Sequence, residues 1–356
     1  MSNLTRAITA AASGAGGPRT LFAIPHNSDS TADLNNLSLY ELDGDQLVLL
    51  DKIRAHAADS PTAARQVAFN PDPDTYGNIL AVTTNQGVSI IDYSNDTLTE
   101  VDAEESSLRA SYGCAYSSDG SKLFTSGTLS NEISRFTQAT DGTIGSRTSS
   151  ASFGLSERIN AIAIAKTKDV GIVVFNKGSS ASIGAHTFTP SDFSLDSSFV
   201  TNSEEVINVD ISQDGTFAVY VGKDAVTHPK TATGRMNISS TNVITGGTEQ
   251  IIGSAPEGVA IAPNQNHVAT GGNGTTGGSY LRIYNAAMSS LAEDVNPGGT
   301  NPSLCWDSES EYLVSFVNGG TLKLYGWNGS NTLTELDSIT GLANISATHR
   351  MASITI

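Results

Sequence analysis

Six histidines, two cysteines, one lone carboxylate and one short cationic stretch are the residues whose types could carry chemistry. His26, His56, His186, His228, His267 and His349 stand singly, without the short spacings that a metal-ligand set uses. They read as surface or loop histidines. Asp72 and Asp74, in Asn70-Pro71-Asp72-Pro73-Asp74, resemble a calcium loop superficially, but turn chemistry explains them better. Asp102-Ala103-Glu104-Glu105 reads as a solvated charge run. Lys223, His228, Lys230 and Arg235 lie close together in a chain of net charge −17. That local reversal of sign makes them the candidate contact patch. Asp210, in Val209-Asp210-Ile211, interrupts an apolar segment; solvation explains it, with a ligand or ion role as the alternative. No Gly-x-Ser-x-Gly elbow, His-Glu-x-x-His, phosphate-cradling loop or EF-hand loop occurs. Catalytic residues, metals and cofactors are therefore not expected.

What must position these groups is a repeat. Val67-Ala68-Phe69, Cys114-Ala115-Tyr116, Ile162-Ala163-Ile164, Val209-Asp210-Ile211, Val259-Ala260-Ile261, Leu304-Cys305-Trp306 and Ala352-Ser353-Ile354 form one series. Their middle residues stand at 68, 115, 163, 210, 260, 305 and 353, in steps of 47, 48, 47, 50, 45 and 48. A unit of this length holds four short strands, which predicts an all-β, seven-bladed β-propeller. The hairpin signals repeat with it: Asp119-Gly120, Gln213-Asp214-Gly215-Thr216, Pro263-Asn264-Gln265-Asn266 and Asp307-Ser308-Glu309-Ser310 follow the marked strand. Small residues at the mark (Ala68, Ala115, Ala163, Ala260, Cys305, Ser353) suit strands crowding an axis. Their larger neighbours pack between blades.

The chain ends complement each other. Thr20 to Ile24, Asn36 to Leu42 and Gln46 to Lys52 read as a blade lacking its inner strand, and Arg350 to Ile356 read as an inner strand with no blade. The C-terminal strand should close the ring and remove an exposed edge. Cys114 and Cys305 then lie three blades apart, beyond the disulfide reach of about 7 Å, and read as buried free thiols. The loops at Gly222 to Gly234, Gly271 to Ser279, Ala55 to Ala64, Ala103 to Ser111 and Met288 to Thr300 should crowd one face. Binding is expected there.

Residues 1–18 read as an N-terminal arm outside the propeller of residues 19–356; Leu4, Ile8 and Ala11 would share one face if Met1 to Ala12 formed a short helix, and the alternative is a disordered tail. With 36 acidic and 19 basic residues, nucleic-acid binding and docking on anionic lipid are disfavoured. No run of 18 apolar residues occurs, so no membrane-inserting helix is expected, and the N-terminus lacks the apolar block of a secretory leader.

Two resemblances follow from these residues. Ala115-Tyr116-Ser117-Ser118-Asp119-Gly120 resembles the strand-to-turn pattern of WD-type and lactonase-type seven-bladed propellers, without the Trp-Asp and Gly-His signatures of true WD repeats. The lactonases' catalytic residues have no counterpart positions here. Leu4-Thr5-Arg6-Ala7, followed by the Ala/Gly tract from Ala10 to Gly17, resembles the N-termini of structural proteins from tailed bacteriophages of marine bacteria. That likeness implies a non-enzymatic tail or appendage protein, located in the virion and present in multiple copies. Leu4, Arg6 and Ile8 would anchor it to other virion proteins, and the propeller would face a partner such as a host surface receptor. The alternatives are a lactonase-like enzyme acting at the axial channel mouth and a cellular protein-binding scaffold.

Overall fold

All seven marked tripeptides lie on strands that take the innermost place in a four-stranded antiparallel sheet. The computed structural model describes residues 17–27, 34–56, 63–104, 111–127, 132–149, 158–175, 184–199, 205–223, 232–251, 255–273, 279–343 and 350–356. The first blade holds β1 (Thr20–Pro25), β2 (Leu37–Asp43) and β3 (Gln46–Ile53). The second is β4 (Ala64–Phe69), β5 (Ile79–Thr84), β6 (Val88–Asp92) and β7 (Thr99–Glu104). The third is β8 (Ser111–Tyr116), β9 (Lys122–Gly127), β10 (Ile133–Thr137) and a short β11 (Thr148–Ser149). The fourth comprises β12 (Ile159–Ile164), β13 (Gly171–Phe175), β14 (Ala185–Thr189) and β15 (Ser194–Phe199). The fifth runs through β16 (Glu205–Ile211), β17 (Phe217–Lys223), β18 (Ala232–Ile238) and β19 (Ile244–Ile251). The sixth has β20 (Ala255–Ile261), β21 (His267–Asn273), β22 (Ser279–Asn285) and β23 (Leu291–Val295). The seventh has β24 (Ser303–Trp306), β25 (Tyr312–Val317), β26 (Thr321–Trp327) and β27 (Leu333–Ile339).

The ring closes as the chain ends imply. The last strand, β28 (Ala352–Thr355), is the innermost strand of the first blade, in the order β28-β1-β2-β3. It pairs antiparallel with β1, Leu21 opposite Ile354 and Phe22 opposite Ser353. Arg19 and Ile356 exchange main-chain hydrogen bonds of 2.9 Å in both directions and extend the ladder.

The core is distributed between blades. Seven apolar clusters fill the seven interfaces. At the closure, Phe22, Ile24 and Tyr40 of the first blade meet Val314, Phe316 and Leu324 of the seventh. Between the third and fourth, Phe124 packs its ring 5.6 Å from that of Phe188. Alternating side chains leave both faces of each sheet to a neighbour, so every blade depends on two others.

Four of the turns after the inner strands share one backbone conformation. Gly120, Gly215, Gln265 and Ser310 occupy equivalent places with φ of 70°, 65°, 60° and 62°. Glycine removes the strain at the first two. In the second blade that turn is replaced by a one-turn helix, α1 (Pro73–Tyr76), whose N-terminus Asp72 caps by accepting from the Thr75 amide at 3.2 Å. The carboxylate at Asp72 is thus a local cap.

Two expectations need correction. Met288 to Thr300 is not a long loop, because β23 occupies Leu291–Val295. Asp102 is not merely solvated either. It sits on β7 and accepts the Ile144 amide of the next blade through Oδ2 at 2.8 Å. Asp51 does the same for Leu98 at 2.8 Å, and Asp337 for Leu47 at 2.9 Å. All three follow a β-bulge in the outermost strand, which turns the carboxylate towards the neighbouring blade. Asp337→Ala leaves a buried amide unpaired and should cost about 1–2 kcal/mol. The measurement is the urea midpoint; a lowered midpoint at unchanged slope is the expected result.

Candidate functional site

The free edges of the seven inner strands face one another and enclose an axial cavity of about 250 Å³. All seven marked residues, Ala68, Ala115, Ala163, Asp210, Ala260, Cys305 and Ser353, line it. Methyl, thiol and hydroxyl groups are small enough to leave the axis open. The lining extends to Pro71, Ser118, Lys166, Gln213 and Pro263, in the turns that follow the inner strands. The cavity therefore opens on the face of the tight turns, opposite the face expected to bind.

The other end is crossed by side chains. Arg350, two residues before β28, donates from Nη1 to the carbonyls of Val209 at 2.6 Å and Ile162 at 3.4 Å. Its Nη2 pairs with Asp210 Oδ1. The same oxygen accepts the Ile211 amide at 3.0 Å, and Oδ2 accepts the Ile261 amide of the sixth blade at 2.7 Å. Gln66 reaches from the second blade, its Nε2 donating to Cys114 O at 2.9 Å and Ile162 O at 3.1 Å. Main-chain bonds hold Arg350 in place: its amide donates to Arg65 O at 2.8 Å, and its carbonyl accepts from Val67 at 3.1 Å. A guanidinium on the closing strand thus reaches the fifth blade across the axis. Among the described residues the result is a blind funnel with a floor of paired charges.

Asp210 points into the axial channel, as its place in the repeat implies. Its side chain is only 18% exposed, however, and its oxygens are taken by an ion pair and two amides. Arg350 was not singled out from the sequence. The signal was there: one carboxylate among small apolar marks requires a counter-charge nearby.

Only part of the candidate cationic patch falls within the described residues. Lys223 ends β17, and His228 and Lys230 lie outside the described residues. Arg235 belongs to the middle of β18, not to the loop. Its guanidinium carbon lies 4.0 Å from the Phe217 ring centroid, and Nη1 donates to Ala286 O of the sixth blade at 2.5 Å. It is an inter-blade strut. Leu4, Arg6 and Ile8 also lie outside the described residues.

Two of the histidines are buried, contrary to the surface reading. His26 Nε2 lies 3.0 Å from Ser38 Oγ, and His56 Nδ1 lies 2.7 Å from Ser89 Oγ. His186 is half-buried and donates from Nδ1 to Thr187 O at 2.8 Å. His267 packs its ring 5.2 Å from Trp327, and burial lowers its pKa. None of these four lines the funnel.

Cys114 and Cys305 are free and buried, and burial pushes both thiols up to about 12. An unfolded thiol titrates near 8.5. The folded state therefore holds protons that the unfolded chain has released. This stabilisation is full below about pH 8.5 and is lost as pH rises towards 12. Both thiols should resist Ellman's reagent at pH 8 until denaturant is added, and urea stability should decline from pH 9 to 11. Prompt labelling of the native protein would contradict this assignment.

No family model matches this chain, and no curated protein matches it. Solved structures do. A Lactobacillus plantarum protein aligns with a TM-score of 0.72 at 11% identity, over 95% of this chain and 99% of its own. A functionally unknown protein of Desulfotomaculum acetoxidans DSM 771 aligns at 0.66 and 12% identity, covering 94% and 98%. A Bacteroides fragilis NCTC 9343 protein, assigned provisionally as a 6-phosphogluconolactonase, aligns at 0.69 and 9% identity, covering 95% and 98%. Such identities carry the fold and not the function: the chain is a seven-bladed β-propeller with four antiparallel strands per blade.

Proposed function

We propose that this chain is a non-enzymatic interaction protein, a tail or appendage component of a tailed-phage virion. Residues 1–18 dock it on the particle and the propeller presents a binding surface. What supports binding over catalysis is the state of the charges in the funnel. Asp210 is the one carboxylate among the described lining residues, and both its oxygens already accept hydrogen bonds. Arg350 directs Nη1 to two carbonyls and Nη2 to Asp210. A general acid or base needs a group within reach of substrate and able to exchange a proton, and this pair is committed to the scaffold. The virion placement rests on the N-terminal likeness to phage structural proteins.

Two measurements test the proposal. A chain lacking residues 1–18 should fold as a propeller, with an unchanged circular dichroism spectrum, yet fail to join particles during assembly. Incorporation at the full-length level would end the anchoring claim. Incubation with 6-phosphogluconolactone should give no hydrolysis above the spontaneous rate. Turnover that disappears when Ala163→Leu narrows the funnel would instead establish the lactonase-type reading.

A further inference from the structure

We propose that the axial funnel binds a neutral, hydroxylated molecule of monosaccharide size. This rests on the reading that the funnel binds rather than reacts. Size comes first. A cavity of about 150 Å³ holds one benzene ring, so about 250 Å³ accommodates roughly ten non-hydrogen atoms. That is too small for a folded element or a nucleotide, and it suits a single sugar ring or polyol.

Charge decides the class. Arg350 and Asp210 form the floor, 15% and 18% exposed, and their charges cancel. Burying an unpaired charge is costly, and this floor has no spare counter-charge to offer a charged guest. Lys166 at the mouth is exposed, and ion pairs in water are weak, so it compensates an anion poorly. Phosphorylated and carboxylated guests are thereby disfavoured, as are amines. A neutral guest carrying hydroxyl groups meets no such penalty. Asp210 Oδ2 accepts the Ile261 amide and has a second lone pair, and Arg350 Nη2 carries an N–H beyond the one directed at Oδ1, so a guest hydroxyl can donate to the first and accept from the second. Ser353 Oγ, which donates to Trp306 O at 2.6 Å, keeps acceptor capacity on the wall. The methyl groups of Ala68, Ala115, Ala163 and Ala260 supply apolar contact for the C–H faces of a ring.

The funnel contains its own reporter. Trp306 borders it, buried in the same inter-blade cluster as Trp327, the other tryptophan, and its Nε1 donates to Ala260 O of the wall at 3.2 Å. The full chain is titrated with D-glucose, D-galactose and D-mannose while tryptophan emission is followed. Glucose 6-phosphate, glucuronate and glucosamine are the charged probes. One neutral sugar should saturate with a dissociation constant on the order of 1 mM, and its charged counterpart should bind at least tenfold more weakly. Ala163→Leu and Ala260→Leu, on different walls, should each abolish the response in a chain that still folds; both alanines also border inter-blade clusters, so a lowered melting temperature is expected. If one fails to fold, the other decides.

A disaccharide carrying the same sugar at its non-reducing end separates the sources. Equal or tighter binding points to a glycan terminus, and binding of the free sugar alone points to a soluble ligand. The proposal is overturned if no neutral sugar saturates, if a charged analogue binds as well, or if binding survives both leucine variants. Lactone hydrolysis would overturn the binding reading itself, whereas silence towards all sugars without hydrolysis would overturn only the ligand class.

Discussion

A chain ending at His349 will not reach a cooperative native state. Circular dichroism should show reduced strand signal and no sharp melting transition, and gel filtration should place the product in aggregates. Three losses combine. β1 forfeits its partner and becomes a sheet edge open to pairing with other chains. Ala352 and Ile354 leave the cluster that includes Leu21, Leu39 and Val67, so the first two blades lose packing at their shared interface. Removing Arg350 also leaves Asp210 without its counter-charge, a change that by itself costs about 3–5 kcal/mol when the pair is buried. Domains are stable by only about 5–15 kcal/mol in total, so the combined loss takes most or all of it. A synthetic peptide spanning residues 340–356 should restore a melting transition when added during refolding. A truncated chain that melts sharply near the full-length temperature would mean that the closure is ornamental.

The reason this closure could be read from the sequence is that it depends on period and pattern. Seven marks at near-equal steps, six of them small residues, fix the inner strands, and a blade missing one strand at the start requires one at the end. Hairpin chemistry was equally legible: Asp119-Gly120 and Asp214-Gly215 predict turns because a positive φ suits glycine. Side-chain partnerships across the ring were not legible. Asp102 looked solvated because its partner, the amide of Ile144, lies on another blade and is positioned by a bulge that no local pattern announces. Arg235 looked like a loop cation because the β17–β18 connection was drawn too long, whereas it lies mid-strand over Phe217. His26 and His56 looked exposed because one polar residue between apolar strands gives no hint of the serine that will cover it. The binding face was inferred from loop length alone. The cavity lies on the opposite side, because side chains at the N-terminal ends of the inner strands close the axis there.

Separating the role of Arg350 from that of its strand requires substitutions that keep β28. Arg350→Met preserves the aliphatic stem and leaves Asp210 with two amide donors and no cation. Because both groups retain some exposure to the funnel, the lower end of the range applies, about 3 kcal/mol. Asp210→Ala should cost less, about 2 kcal/mol, since the guanidinium keeps the carbonyls of Val209 and Ile162 and can draw water into the space vacated. Combining the two removes both charges together. A buried pair replaced by apolar groups is often neutral relative to the parent, whereas a half-broken pair is not. The double variant should therefore be more stable than Arg350→Met alone, with a coupling energy of about 2–3 kcal/mol. Urea unfolding of the four proteins supplies the cycle. Strict additivity would show that Arg350 acts through its carbonyl contacts and not through Asp210. Coupling at the expected size would establish that the one carboxylate among the seven marks is held there by the strand that closes the ring.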